Sequence, residues 1–148
     1  MRRTIGTVLV ALAVGISTLL VSAPAHASSS IHITKVYYNS PGSDTGSNTS
    51  LNAEYVRLKN VTSTSKRLTN WTVRDKSNHV YTFGTYYLAA GDSVYLHTGK
   101  GTNTTHHKYW QRSWYVWNNT GDTAYLKDSY GTTKDTCTWG SSGSYTYC

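Results

Sequence analysis

The chain predicts an all-β sandwich of two packed sheets, built from about seven to nine short strands. Three observations point there. Tyr, Thr, Val and Trp are abundant, whereas Ala, Leu and Glu are scarce beyond residue 27. Apolar residues alternate with polar ones over short runs, and clusters of Gly, Asn, Asp and Ser separate those runs. Almost no stretch of this region repeats apolar residues at helical spacing, so no helix is expected.

The elements follow in order. Residues 31–39, "IHITKVYYN", open the domain, and 40–52, "SPGSDTGSNTSLN", reads as a long polar loop that resists order. In "AEYVRLKN" the side chains of Val56 and Leu58 share one face and Tyr55, Arg57 and Lys59 the other. "LTNWTVRD" turns Leu68 or Trp71 and Val73 inward, with Thr72 and Arg74 outward. "HVYTF" supplies Tyr81 and Phe83 as a large inward pair. "LAAGDSVYLHTG" gives a turn and then a strand with Val94 and Leu96 in, Tyr95 and His97 out. A second polar loop, "GKGTNTTHHK", follows. "DTAYLKD" places Ala124 and Leu126 inside and Tyr125 and Lys127 outside, and "KDTCTWG" closes the fold.

The N-terminus reads as a secretory signal peptide. Arg2 and Arg3 precede an uncharged apolar run over 5–21, and "SAPAHA" puts Ala25 and Ala27 at the −3 and −1 positions of a cut before Ser28. Pro24 and the small-residue site argue against a membrane anchor, and the layout is of bacterial type. It suits the general secretory route better than the twin-arginine route. The expected organisation is therefore a signal peptide over 1–27 and one secreted domain over 28–148. That domain carries twelve Lys plus Arg against seven Asp plus Glu, a net charge of +5. Such a balance suits anionic partners and is also an ordinary solubility charge. Cys137 and Cys148 are the only cysteines, and in an oxidising compartment they read as one disulfide pinning the Gly/Ser/Tyr-rich tail.

Five segments, "EYVRLKN", "LTNWTVRD", "YTF", "LAAGDSVYLHTGKGT" and "WNNTGDTAYLKDSYG", together resemble in order and spacing the lamin tail domain. The resemblance covers roughly residues 31–139. It implies an immunoglobulin-like β-sandwich, of the kind found at the C-terminus of nuclear lamins and in many secreted bacterial proteins. It also implies a non-catalytic role in interaction or adhesion. The rod of heptads that builds lamin filaments is not present. With Cys148 in the last position, no prenylation box of Cys plus three residues is expected.

The residues point away from catalysis. Beyond residue 27 Glu54 is the sole glutamate; it shares the inward parity of Val56 and Leu58 and reads as a strand-end group paired with a base or with backbone. Asp92 and Asp122 each follow a glycine at a strand entry, where Asp accepts turn N–H groups; calcium would need several more oxygens. His32, His79, His97, His106 and His107 form no H-x-x-x-H pattern, and the adjacent pair His106 and His107 reads as loop surface. No cofactor and no metal site is expected.

Binding surfaces remain. Tyr55, Arg57, Lys59, Arg74, Tyr95, His97, Tyr125 and Lys127 point outward, and if their strands shared a sheet they would make a basic face interleaved with tyrosine. Such a face suits anionic polymers, with cations on phosphate or uronate and rings stacked on bases or sugars. Solvated strands carry the same residues for β-propensity alone. A second candidate surface is Tyr109, Trp110, Trp114, Tyr115 and Trp117, in which Trp117 reads as core, whereas Trp110 and Trp114 are either core or an exposed glycan platform. Asn118 to Asp122 reads as a turn. The expectation is a secreted interaction or adhesion module. The alternative is a protein that binds polysaccharide or nucleic acid, and the third reading is a small secreted hydrolase. Envelope polymer, glycan and extracellular DNA are the partners considered, and the oligomeric state is left open.

Overall fold

The computed structural model describes residues 29–148, so the signal peptide expected over 1–27 lies outside the described residues. The described chain is almost entirely β. Its strands are β1 (Ile31–Tyr37), β2 (Tyr55–Asn60), β3 (Lys66–Arg67), β4 (Thr72–Arg74), β5 (Val80–Thr82), β6 (Tyr87–Leu88), β7 (Ser93–His97), β8 (His107–Tyr109), β9 (Asp122–Lys127), β10 (Thr133–Trp139) and β11 (Tyr145–Tyr147), with one helix, α1 (Asn48–Ala53). They form a five-stranded sheet in the order β11-β1-β2-β7-β8, a four-stranded sheet β10-β9-β4-β5, and the small pair β3-β6. The result is an immunoglobulin-like sandwich.

Period-two alternation builds the core. Val56 and Leu58 of β2 and Val94 and Leu96 of β7 are buried and meet Val73, Ala124 and Leu126 of the opposing sheet. Phe83, Trp110, Trp117 and Trp139 close the ends of that layer, with Trp110 edge-on to Trp117 and Trp117 edge-on to Trp139. β1 carries a bulge between Ile33 and Lys35. The extra residue resets the parity, so Ile31, Ile33 and Val36 are buried while Lys35 and Tyr37 face out. Asp135 of β10 stabilises the bulge by accepting from Ile33 N at 2.8 Å and pairing with His32 at 3.2 Å.

The structure corrects two expectations. The polar segment over 40–52 is ordered and leads into α1, whose N-cap Ser47 accepts from Ser50 N. Leu51 anchors that turn in the protein, and Asn48 and Asn52 each donate to Lys100 O at 2.9 Å. One buried residue in six, Leu51, leaves no helical period to read. The second polar loop ends in β8, which pairs in parallel with β7, and the tail adds β11. Cys137 and Cys148 are disulfide-bonded as expected, tying the end of β11 to β10.

Candidate functional site

The solvent face of the five-stranded sheet is the most chemically distinctive surface. Register aligns two rows of side chains across all five strands. One row runs Tyr145, Tyr37, Tyr55, His97, Tyr109, and the other runs Tyr147, Lys35, Arg57, Tyr95, His107. Each row crosses four strand spacings, about 19 Å. Lys59 extends the face one step further along β2, opposite Ser93.

Its charge is one-sided. None of β1, β2, β7, β8 and β11 contains Asp or Glu. Among the described residues no carboxylate forms an ion pair with Lys35, Arg57 or Lys59. Lys35 is ringed by tyrosines, its Nζ lying 4.1 Å from the Tyr145 ring centroid, 5.2 Å from Tyr147, 5.4 Å from Tyr37 and 5.9 Å from Tyr55. Desolvation pulls its pKa down, but the Tyr55 hydroxyl and the phenols of Tyr147 and Tyr145 outweigh it and hold the ammonium above the usual lysine value. Arg57 donates from Nε to Thr34 Oγ1 at 2.8 Å, so a bulge residue orients its guanidinium and leaves the terminal nitrogens for a ligand.

The rings are not a flat platform. Tyr95 stacks on His107 at 5.4 Å, His97 on Tyr109 at 5.1 Å, and Tyr37 on Tyr145 at 5.6 Å. These rings turn their faces to one another, and the surface offers edges and hydroxyls instead. His97 donates from Nδ1 to Asn52 O at 2.7 Å, and its Nε2 lies 2.9 Å from His107 Nδ1. Burial lowers the His97 pKa, the Asn52 carbonyl opposes it, and His107 lowers it further.

Five of the residues named from sequence, Tyr55, Arg57, Lys59, Tyr95 and His97, lie on this face. Arg74, Tyr125 and Lys127 do not: they belong to β4 and β9 of the other sheet, whose solvent face points the opposite way. There Arg74 lies 5.1 Å over Tyr125 and donates to Asn78 at 3.0 Å. The single basic face therefore divides in two. Trp110 is buried, Trp114 is 61% exposed, and Trp114 packs over Gly46 in the loop ahead of α1, where a Cβ would run into its ring. Trp114 is thus separate from the two rows. Lys108, between His107 and Tyr109, turns inward with its Nζ 4.1 Å over Tyr86.

Sequence reading missed Lys35, Tyr37, His107, Tyr109, Tyr145 and Tyr147 as members of the face. The available signal was the period two of "KVY", "HKY" and "YTY", each too short to be read alone.

Glu54 and Asp122 serve the scaffold. Glu54 is fully buried and accepts from Val116 N at 3.2 Å and Trp117 N at 2.9 Å. Desolvation raises its pKa to about 7, against the opposing pull of the Thr98 hydroxyl and those two N–H groups. Asp122 accepts from Asn118 N, Lys76 N and Thr123 N, joining its own turn to the one after β4. Among the described residues no group of three or more His, Cys, Asp or Glu is placed to hold a metal.

The two sheets pack as an immunoglobulin-like sandwich, and the solvent face of the larger one is chemically patterned. The lamin tail domain family model matches residues 24–141, and the chain belongs to that family of non-enzymatic immunoglobulin-like domains. No curated protein sequence matches it significantly.

Proposed function

We propose that this protein is a secreted, non-catalytic interaction module that holds an acidic polysaccharide of the cell envelope or surrounding matrix on the five-stranded face. The observation that carries this reading is the set Lys35, Arg57 and Lys59: three cations without carboxylate partners, on a face whose strands contain no acid. Unpaired cations on a rigid sheet meet carboxylate or sulfate groups at little ordering cost, and the tyrosine hydroxyls meet sugar hydroxyls. Nucleic acid fits less well. Single strands bind by stacking bases on open ring faces, and here Tyr95, His97 and Tyr37 turn theirs to His107, Tyr109 and Tyr145. Secretion is supported by the signal-peptide layout and by the disulfide.

Retention on immobilised heparin and polygalacturonate, against single-stranded DNA of matched charge, tests the reading. Polysaccharide retention that falls with salt and exceeds DNA retention is expected. Stronger binding to DNA would replace the reading with nucleic-acid recognition. Hydrolysis of any of these polymers by the pure protein would overturn the non-catalytic part.

A further inference from the structure

We propose that His97 and His107 form a proton-gated oxyanion site at the β7–β8 end of the face, which takes a sulfate or carboxylate of the bound polysaccharide once the pair has accepted one proton. The ligand's identity rests on the reading above; the proton pair does not.

Hydrogen placement follows from the partners. His97 Nδ1 carries a hydrogen, because the atom it meets at 2.7 Å is the Asn52 carbonyl oxygen. In the neutral ring its Nε2 is then bare, and accepts from Nδ1–H of His107 at 2.9 Å. His107 Nε2 is consequently bare, on an exposed residue. Protonation there creates an imidazolium whose Nδ1–H bond to His97 becomes charge-assisted, and whose new Nε2–H is free to meet an anion. A second proton would have to enter at His97 Nε2. It would break the bond between the rings and put two cations in rings whose centroids lie 5.2 Å apart. The geometry therefore accommodates one proton on the pair and disfavours a second.

Nothing around the pair neutralises that charge. β2 contributes Tyr55 and Arg57, β7 contributes Tyr95, and β8 contributes Tyr109, with Lys108 turned inward and His106 directed to Ser93 O. The loop between β7 and β8 carries Lys100, and α1 offers only the Asn52 carbonyl. Glu54, just after α1, turns its carboxylate to Val116 and Trp117 in the core. With no internal counter-ion, a protonated His107 extends the row of Lys35 and Arg57 toward the far edge of the sheet, and the counter-ion comes from the ligand.

The test uses a heparin fragment of defined length, whose sulfates stay ionised, at fixed ionic strength. Affinity is compared at about pH 8 and about pH 5, the span over which imidazole gains its charge. The expected gain on acidification is about three- to fivefold, the worth of one added exposed contact. That ratio should fall to about one in His107→Gln, whatever the variant's affinity at the higher pH, and persist in His106→Gln. A wild-type ratio near one, or a gain that survives in His107→Gln, overturns the proton gate and leaves the polysaccharide reading standing. Absence of binding at either pH overturns that reading instead. Ring-nitrogen NMR without ligand then judges the pair: one shared proton uptake with His97 Nδ1–H retained supports it, and two independent titrations overturn it.

Discussion

Replacing Glu54 with Gln tests how a buried acid is used as a clamp. The carboxylate is fully buried and gives one oxygen to each of Val116 N and Trp117 N. In the unfolded chain it ionises near 4.5, in the folded protein near 7, chiefly because burial penalises the charge. The folded state therefore keeps a proton that the unfolded state has lost, and stability from this group is greatest below the unfolded value. It falls as pH rises from the unfolded to the folded value and is flat beyond. Between about pH 5 and about pH 8 the loss is about 2 to 3 kcal/mol. Gln removes that slope but presents an NH2 to one of the two N–H groups, at a cost of about 1 to 3 kcal/mol. Glu54→Gln should thus be clearly destabilising at about pH 5 and near neutral at about pH 8. Urea unfolding of both proteins at matched pH, with the disulfide intact, gives the difference and cancels every other titrating group. A difference that does not change with pH would refute the reasoning, since it would mean that Glu54 has the same protonation in both states.

Other consequences are simpler. Replacing both Cys137 and Cys148 with Ser should lower unfolding free energy by about 3 kcal/mol in the chain-entropy account of so small a loop, measured by denaturant unfolding, and thiol titration of the native protein should find no free thiol. Asn60→Ala strips the donors from the carbonyls of Thr64, Leu88 and Ala89. The Asn60 side chain is fully buried, as is its bond to Leu88 O, so the change should cost about 1 to 3 kcal/mol, read from the same unfolding curves. Trp114→Ala, at an exposed ring, should change stability by no more than about 0.5 kcal/mol and leave polysaccharide affinity unchanged, which calorimetry on heparin would check.

Much of the fold was legible because alternation is unbroken where strands bury one face. Val56 with Leu58, Val94 with Leu96 and Ala124 with Leu126 all point where period two sends them. The turn from Asn118 to Asp122 was legible from its residue types, and Gly121 does take a positive φ of 132°. The face was legible only in part, for three physical reasons. The bulge at Thr34 hides the outward parity of Lys35 and Tyr37. β8 and β11 sit in polar segments whose three residues carry no apolar signal. Finally, which strands share a sheet is settled by long-range pairing that no local pattern encodes. Arg57 and Arg74 look alike in sequence and lie on opposite sides of the sandwich.

That division supplies the most direct measurement of the central claim, that the five-stranded face binds the polymer. Heparin affinity would be compared among wild type, a Lys35→Ala, Arg57→Ala, Lys59→Ala triple variant, and an Arg74→Ala, Lys127→Ala double variant on the other sheet. The account predicts a loss on the order of tenfold or more in the triple variant, from three contacts of about 0.5 to 1 kcal/mol each, with a flattened salt dependence and near wild-type affinity in the double variant. A triple variant that binds as wild type does, or a double variant that loses the affinity instead, would contradict it.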